Sequence, residues 1–319
     1  MSYIKRSANM LLAAVVLFSV TGSVYAQTST PKANGFRISP IRNELTIEKG
    51  TSQTATVNIE NPSSLPLKAK AVINDFEASG SEDGQPQLLL DGSYAPSHSL
   101  KRLLADPPTV DLGPNERKEV KIVITIPQNA AAGGYYGAIR FLPADIVTGA
   151  NLSLTASVGS LFLINVPGNI KEHLSLLQFG AASGGKVKKL ITGGPVSIIT
   201  RFKNDGDTHE KPFGKIQVKD SHGKLVAEEE INNIEPQSNV LPGSIRKFET
   251  KLKNSKWLGH YTVTAGFGYN PSTGDLITAK ASFWYIPLWM LVAIIALILA
   301  LLITVYVVYR KLHNKRSRK

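Results

Sequence analysis

The densest run of side chains able to do chemistry is Asn204-Asp205-Gly206-Asp207-Thr208-His209-Glu210. Its carboxylates could hold Ca²⁺, a hard cation that selects oxygen ligands. The run lacks the alternating acidic positions and terminal Glu of an EF-hand loop, so its composition favours a solvated turn shaped by Asn, Asp and Gly. His98, His173, His209, His222 and His260 are scattered, with neither HxH nor HExxH spacing, which gives zinc little support. No GxSxG elbow or SxxK pair sets a nucleophile beside a base. The glycine-rich Ala181-Ala182-Ser183-Gly184-Gly185 and Thr192-Gly193-Gly194-Pro195 lack the lysine and the strand-to-helix setting of a phosphate loop. Tyr94 and Trp257 could stack on a sugar, although an aromatic in a sandwich more often serves the core. The expectation is a chain without catalytic, metal-binding or cofactor-binding residues, and therefore not an enzyme. Partner-binding residues stay open.

The elements that would position these residues read as strands. Ser52-Gln-Thr-Ala-Thr-Val-Asn-Ile-Glu60, residues 67–73, 119–126 and 136–141 alternate apolar and polar or are β-branched, separated by Gly, Pro, Asn and Asp. No amphipathic helical pattern precedes residue 286. The even spacing of strand and turn signals predicts an all-β fold.

The pattern occurs twice. Val57-Asn-Ile-Glu-Asn61 runs into Pro62 and a further strand, as Ile199-Thr-Arg-Phe-Lys-Asn204 runs into its polar turn and the strand at 214–220. Leu112-Gly-Pro-Asn-Glu-Arg117 is answered by Leu241-Pro-Gly-Ser-Ile-Arg246, and Gly134-Tyr-Tyr136 by Gly259-His-Tyr261. Three features in one order imply a duplicated unit. A strand-ending Asn can bond its own turn, and a Tyr at the entry of the penultimate strand can form a tyrosine corner. Tyr136 and Tyr261 are expected to play that structural part. The prediction is two tandem immunoglobulin-like β-sandwiches, 36–168 and 169–285, joined by little linker as a semi-rigid rod. From the strand-ending Asn to the turn Arg is 56 residues in the first unit and 42 in the second. The difference falls in an insertion at 77–111, whose polar tip Gly80-Ser-Glu-Asp-Gly84 is the expected place for a binding surface, with Leu88-Leu-Leu90 an alternative strand.

The ends of the chain set its location. Residues 1–26 have a basic start, a short apolar core and small residues before a cut after Ala26, the pattern of a signal peptide. A polar lead-in at 27–35 reads as disordered. Residues 286–309 carry no charge and would make a helix of about 36 Å, against a hydrocarbon core of roughly 30 Å. Trp284, Tyr285, Trp289, Tyr306 and Tyr309 stand where interfacial aromatics belong, and the basic tail at 310–319 marks the cytoplasmic side. The expectation is a single-pass protein of the cell membrane, its body outside and its lipid contact at 286–309.

The net charge of +12 does not mark a nucleic-acid binder. Eight of the basic residues belong to the signal peptide and tail, leaving 28 against 24 acidic residues in the body, a net +4. Cysteine is absent, which excludes disulfides and thiolate metal sites.

The order of parts resembles the WxL-interacting cell-surface proteins of Gram-positive bacteria. The likeness rests on Phe36-Arg-Ile-Ser-Pro40, Glu48-Lys-Gly50 through Asn61, residues 100–104, residues 110–127 into Gly133-Gly-Tyr-Tyr-Gly137, Leu241-Pro-Gly-Ser244 and Gly259-His-Tyr261. Membership, or distant kinship, implies peptidoglycan binding by the first unit and a surface-protein partner for the second. The first unit also resembles the N-terminal domain of periplasmic pilus chaperones, in the Pro-containing strand at 36–47 and the Asn61-Pro62 turn. The expected function is thus non-enzymatic binding of the cell envelope or of another surface protein. The alternative is a structural stalk or chaperone-like assembly component that holds a partner by strand addition.

Overall fold

The computed structural model describes residues 35–90, 92–144, 157–253, 257–269, 274 and 276–316. The signal peptide and nearly all of the lead-in lie outside the described residues. Among the described residues the chain is all-β with one C-terminal α-helix, α1 (Leu288–Arg316).

In the first unit, β3 (Ser52–Glu60) and β7 (Arg117–Thr125) form an antiparallel pair from Ser52 opposite Thr125 to Glu60 opposite Arg117. Their alternation is what folds them: Ala55, Val57 and Ile59 face inward with Val120, Ile122 and Ile124, while intervening polar residues face out. β1 (Arg37–Ser39) lies on β3. The opposing sheet runs β2 (Arg42–Thr46), β9 (Val158–Val166), β8 (Gly133–Pro143), β4 (Leu67–Ala78) and β5 (Pro86–Leu88), with β6 (Val110–Leu112) also on β4. The first strand therefore changes sheets at Pro40, which has no N–H to give a ladder. Its second half, β2, runs parallel to β9 and covers that edge. Phe141, Phe162, Ile139 and Ile164 fill the space between the sheets.

The second unit repeats the plan. β10 (Leu174–Ser183) pairs with β13 (Ser197–Asn204), which pairs with β16 (Ile245–Lys251). β11 (Lys186–Val187) returns along β10, and β12 (Leu190–Ile191) crosses to the other sheet to run parallel to β18 (Leu276–Tyr285). That sheet continues through β17 (Gly259–Gly268), β14 (Phe213–Asp220) and β15 (Leu225–Ile231). Its core holds Phe202, Phe267, Phe283, Trp257 and Tyr261.

The duplicated residues do the same work in each unit. Asn61 and Asn204 are fully buried at the ends of β3 and β13. The Asn61 side-chain amide donates to Leu65 O (2.7 Å) and Gly113 O (2.9 Å), and its Oδ1 accepts from Ser63 N (3.0 Å). The Asn204 amide donates to Thr208 O (2.7 Å) and Val240 O (2.8 Å), and its Oδ1 accepts from Gly206 N (2.8 Å). Each ties its own turn to the loop entering the neighbouring strand, adding a second donor to Leu65 O, Gly113 O and Val240 O, which also accept from Ser63 Oγ, Glu116 N and Glu210 N.

The tyrosine corner requires one correction. Tyr261 donates its hydroxyl to Leu258 O at 2.9 Å, as expected. In the first unit the corner belongs to Tyr135, whose hydroxyl donates to Ala131 O at 3.0 Å, and not to Tyr136. Strand side chains alternate, so the residue one step along faces the opposite side of β8. Tyr136 points away from that core toward the second unit.

Residues 288–310 form a helix long and apolar enough to cross a membrane, with mean hydropathy 3.2. Only Ile286 and Pro287 separate it from β18. The helix continues to Arg316, so the first part of the basic tail is helical.

Candidate functional site

Two regions bring unusual chemistry together: the junction between the units and a groove on the second. At the junction, the tip of the insertion does not stand free. β4 and β5 form a hairpin whose turn is organised by Asp83, which accepts from Ser81 Oγ (2.7 Å) and Gln85 N (2.9 Å). These bonds hold the Asp83 carboxyl below its usual range. The hairpin carries Glu82 onto the second unit. Arg201 Nε donates to Glu82 Oε2 at 2.7 Å, and a second guanidinium N–H donates to Oε1. Lys247 N donates to Glu82 O at 2.8 Å. Gly84 beside it has φ +76°, a left-handed conformation that favours glycine, and its missing side chain leaves room for the Arg246 guanidinium. The segment offered by the sequence as free binding surface is thus a clasp between the units.

The rest of the insertion is anchored rather than loose. Buried Asp75 accepts from Ala95 N (2.9 Å), Ser99 Oγ (2.5 Å) and Lys101 N (2.8 Å). Leu100 is fully buried in the first core, and Leu88 lies in β5. Tyr94 remains half exposed, with Lys101 Nζ 4.6 Å and Arg102 Cζ 4.9 Å from its ring centre.

The polar run at 204–210 is also placed at the junction, and it is only in part the solvated turn its composition favours: Asp207 is exposed, while Asn204, Thr208 and Glu210 are buried. Asp207 O accepts from Gly134 N at 2.9 Å, and Tyr136 Oη lies 3.3 Å from His209 Nδ1. Burial pushes the Tyr136 hydroxyl up and His209 down to about 4. It also pushes Glu210 up to about 8, with repulsion from Glu172 adding to the effect. On the far side of the junction, Glu44 receives Lys211 Nζ and Asn239 Nδ2 (2.9 Å) and pairs with Arg42 at 3.0 Å. Burial opposes its ionisation, but these partners outweigh burial and hold its carboxyl below the ordinary value. Arg42 also donates to Gln237 O at 2.8 Å. Polar contacts on both sides of the Tyr136–His209 pair therefore fix the angle between the units.

Among the described residues, no group of three or more His, Asp or Glu is arranged to hold a metal ion. The histidines stay apart: His98 bonds Ala132 O, His209 meets Tyr136, and His260 packs on Trp284. Trp257, one of the two aromatics offered for sugar stacking, is buried against Tyr261 and Phe283.

The groove lies on the outer face of β14 and β17 and has a volume of about 880 Å³. Alternation along β17 sends Val263, Ala265 and Phe267 inward, so Thr264, Gly266 and Gly268 face out. Two outward positions without side chains leave a backbone floor. Phe213, 39% exposed, stands over Gly268, and Leu276, 65% exposed, forms a wall beside Gly266. Lys215, Gln217 and Glu230 add polar groups at the β14–β15 side, with Lys215 3.5 Å from Glu230. Gly214 is needed for the close approach of β14 to β17, since a Cβ would meet Gly266 O at 2.1 Å. Glycine on an outward strand position is a sequence sign of close backbone approach, and Gly266 and Gly268 carried that sign unused. Next to the groove, β18 has a free edge: β12 pairs only with Trp284 and Tyr285, and no strand among the described residues pairs with 276–283 on that side.

No known family model matches the chain. None of the curated proteins matches it in sequence. Solved structures with a similar arrangement include the class 5 fimbriae chaperone CfaA, at 14% identity and a TM-score of 0.40, covering 77% of this chain and 98% of that one. The YadV chaperone is similar at 14% identity and 0.34, covering 78% and 99%. The E. coli chaperone DraB is similar at 11% and 0.36, covering 78% and 96%. The sandwich assignment rests on the strand pairing itself.

Proposed function

We propose that this chain is a non-enzymatic, membrane-anchored surface protein that holds a protein partner on its second unit, with its body outside the cell and its basic tail inside. The observation that carries this reading is the groove floored by Gly266 and Gly268 between Phe213 and Leu276. A sheet face that needed only to meet water would carry polar side chains there. A glycine floor with apolar walls suits an extended segment whose side chains enter between Phe213 and Leu276 while its backbone lies close to β17. The fixed junction supports the same reading, because it holds the groove at a set angle above α1. Kinship with the WxL-interacting proteins belongs to this proposal, and so does peptidoglycan as a ligand of the first unit.

The free edge of β18 favours a second reading, in which a partner adds a strand at 276–283. Retention of surface-protein extract and of isolated cell wall on the detergent-solubilised full chain separates the readings. A Gly266→Leu variant, whose Cβ has only ordinary contact with Leu276, fills the groove without disturbing the sheet. Loss of protein retention in G266L, with an unchanged melt, is the expected result. Undiminished retention moves the partner to the β18 edge, and retention by wall alone removes the protein-partner reading.

A further inference from the structure

Three segments of the second unit converge where β18 gives way to α1. The first, 184–196, contains β11 and β12; the second is the turn between β14 and β15; the third leads from β16 to β17. Register places them at one end, since Ala182 is opposite Ser197, Ser197 opposite Lys251, Asp220 opposite Tyr261 and Gly259 opposite Tyr285. The first segment is bonded to the start of the helix: Trp284 N donates to Lys189 O (2.7 Å), Ile286 N to Ile191 O (2.9 Å) and Leu288 N to Thr192 O (2.9 Å). Lys189 is thus about one strand spacing, roughly 4.8 Å, from the chain as it enters α1.

This end is strongly basic. Lys186, Lys188 and Lys189 are exposed on the first segment, Lys219 and Lys224 flank the turn, and Lys251 and Lys253 lie on the third. The carboxylates nearby are engaged. Asp220 Oδ1 accepts from His222 N (2.9 Å) and Lys224 N (3.0 Å), Glu249 accepts from Ser197 Oγ (2.7 Å), and Glu229 pairs with Lys253 at 3.2 Å. Among the described residues only Lys253 of these lysines has a carboxylate partner. Large apolar groups stand among them: Leu190, Leu258 and Trp284 are exposed, and Trp289 follows in the first turn of α1. Lysines around exposed Trp and Leu, at the mouth of an apolar helix, match the layered chemistry of a bilayer surface, with anionic phosphate above and amphipathic interface below.

We propose that this end of the second unit lies on the membrane and binds the anionic phospholipid headgroups of the leaflet that α1 enters first. The lysines take the phosphates, and Trp284, Leu190 and Leu258 enter the interfacial layer. The inference rests on α1 being a membrane span, and it adds that the body stands on the bilayer instead of swinging above it.

The test uses the full chain in nanodiscs of phosphatidylcholine alone, or with about a third phosphatidylglycerol, followed by amide hydrogen exchange. Exchange in 184–196 and 221–225 is expected to slow by about fivefold or more in the anionic discs, the scale of one lysine at an anionic surface. The difference should vanish at 1 M salt, where screening reaches about 3 Å. It should also vanish in a Lys186→Glu, Lys188→Glu, Lys189→Glu variant with an unchanged melt. Equal exchange of the wild-type chain in both disc types overturns the proposal without recourse to any variant. Release of the chain from vesicles by alkaline carbonate removes the spanning reading and this proposal with it, whereas retention with equal exchange removes the proposal alone.

Discussion

Glu82 of the first unit and Arg201 of the second, 119 residues apart in sequence, meet in a forked ion pair that ties the insertion hairpin to β13. Both side chains are partly exposed, so the pair is worth about 1 kcal/mol, near the top of the range for exposed pairs because its geometry is bidentate. A double-mutant cycle of Glu82→Ala and Arg201→Ala, read from thermal melts of the full chain, should give a coupling of that order. It should also broaden the distribution of distances between spin labels on the two units. Zero coupling with an unchanged distribution would show that the junction is held elsewhere.

The paired asparagines give a prediction for each unit. Asn61→Ala leaves the buried Ser63 N without its acceptor and takes one of two donors from Leu65 O and Gly113 O, and Asn204→Ala leaves Gly206 N and Thr208 O without the side chain that serves them. Each orphaned group costs about 1–3 kcal/mol before relaxation. Each variant should therefore lose about 2–4 kcal/mol, mainly from its own unit, as exchange protection resolved by segment would report. A loss below about 0.5 kcal/mol in either would show that water replaces the side chain.

Junction stability should depend on pH in two opposed ways. Glu210 has its folded pKa raised to about 8, so its contribution is fully present below the unfolded value near 4.5 and is lost as pH rises through 8. His209 is depressed to about 4, so its contribution is present above the unfolded value near 6.5 and is lost as pH falls through 4. Glu210→Gln should remove the alkaline decline, whose slope is at most about 1.4 kcal/mol per pH unit. Melts of both chains from pH 5 to 9 should diverge upward in pH, with E210Q the more stable at 9. Parallel curves would place Glu210 in contact with water.

Orientation can be read on cells stripped of wall. External protease should remove the body up to about Tyr285 and spare a tag after Lys319. Loss of the tag with the body intact would reverse the direction drawn from the basic tail.

The sequence alone determined what depends on neighbours in the chain. Alternation along Ser52–Glu60 and Arg117–Thr125 needs only the two-residue period of a strand, and the uncharged 286–309 needs only length and composition. The repeated Asn61 and Asn204 were legible because each side chain serves its own turn. Tertiary structure decided whatever depends on which face meets which surface. One step along β8 separates Tyr135, which makes the corner, from Tyr136, which meets His209, and the repeat of Gly-x-Tyr carries no information about that parity. The run at 204–210 reads as solvent-facing because its residues are polar, yet Asn204, Thr208 and Glu210 are buried, and the first unit supplies Gly134 and Tyr136 as partners for Asp207 O and His209. The insertion tip reads as free surface until Arg201 is brought to Glu82. The groove exists only because β17 turns its glycines outward beside Phe213 and Leu276, residues that lie on two other strands. Polarity and period are local properties of the chain. Burial, partnership and concavity arise between segments far apart in it, and these set the junction and the groove.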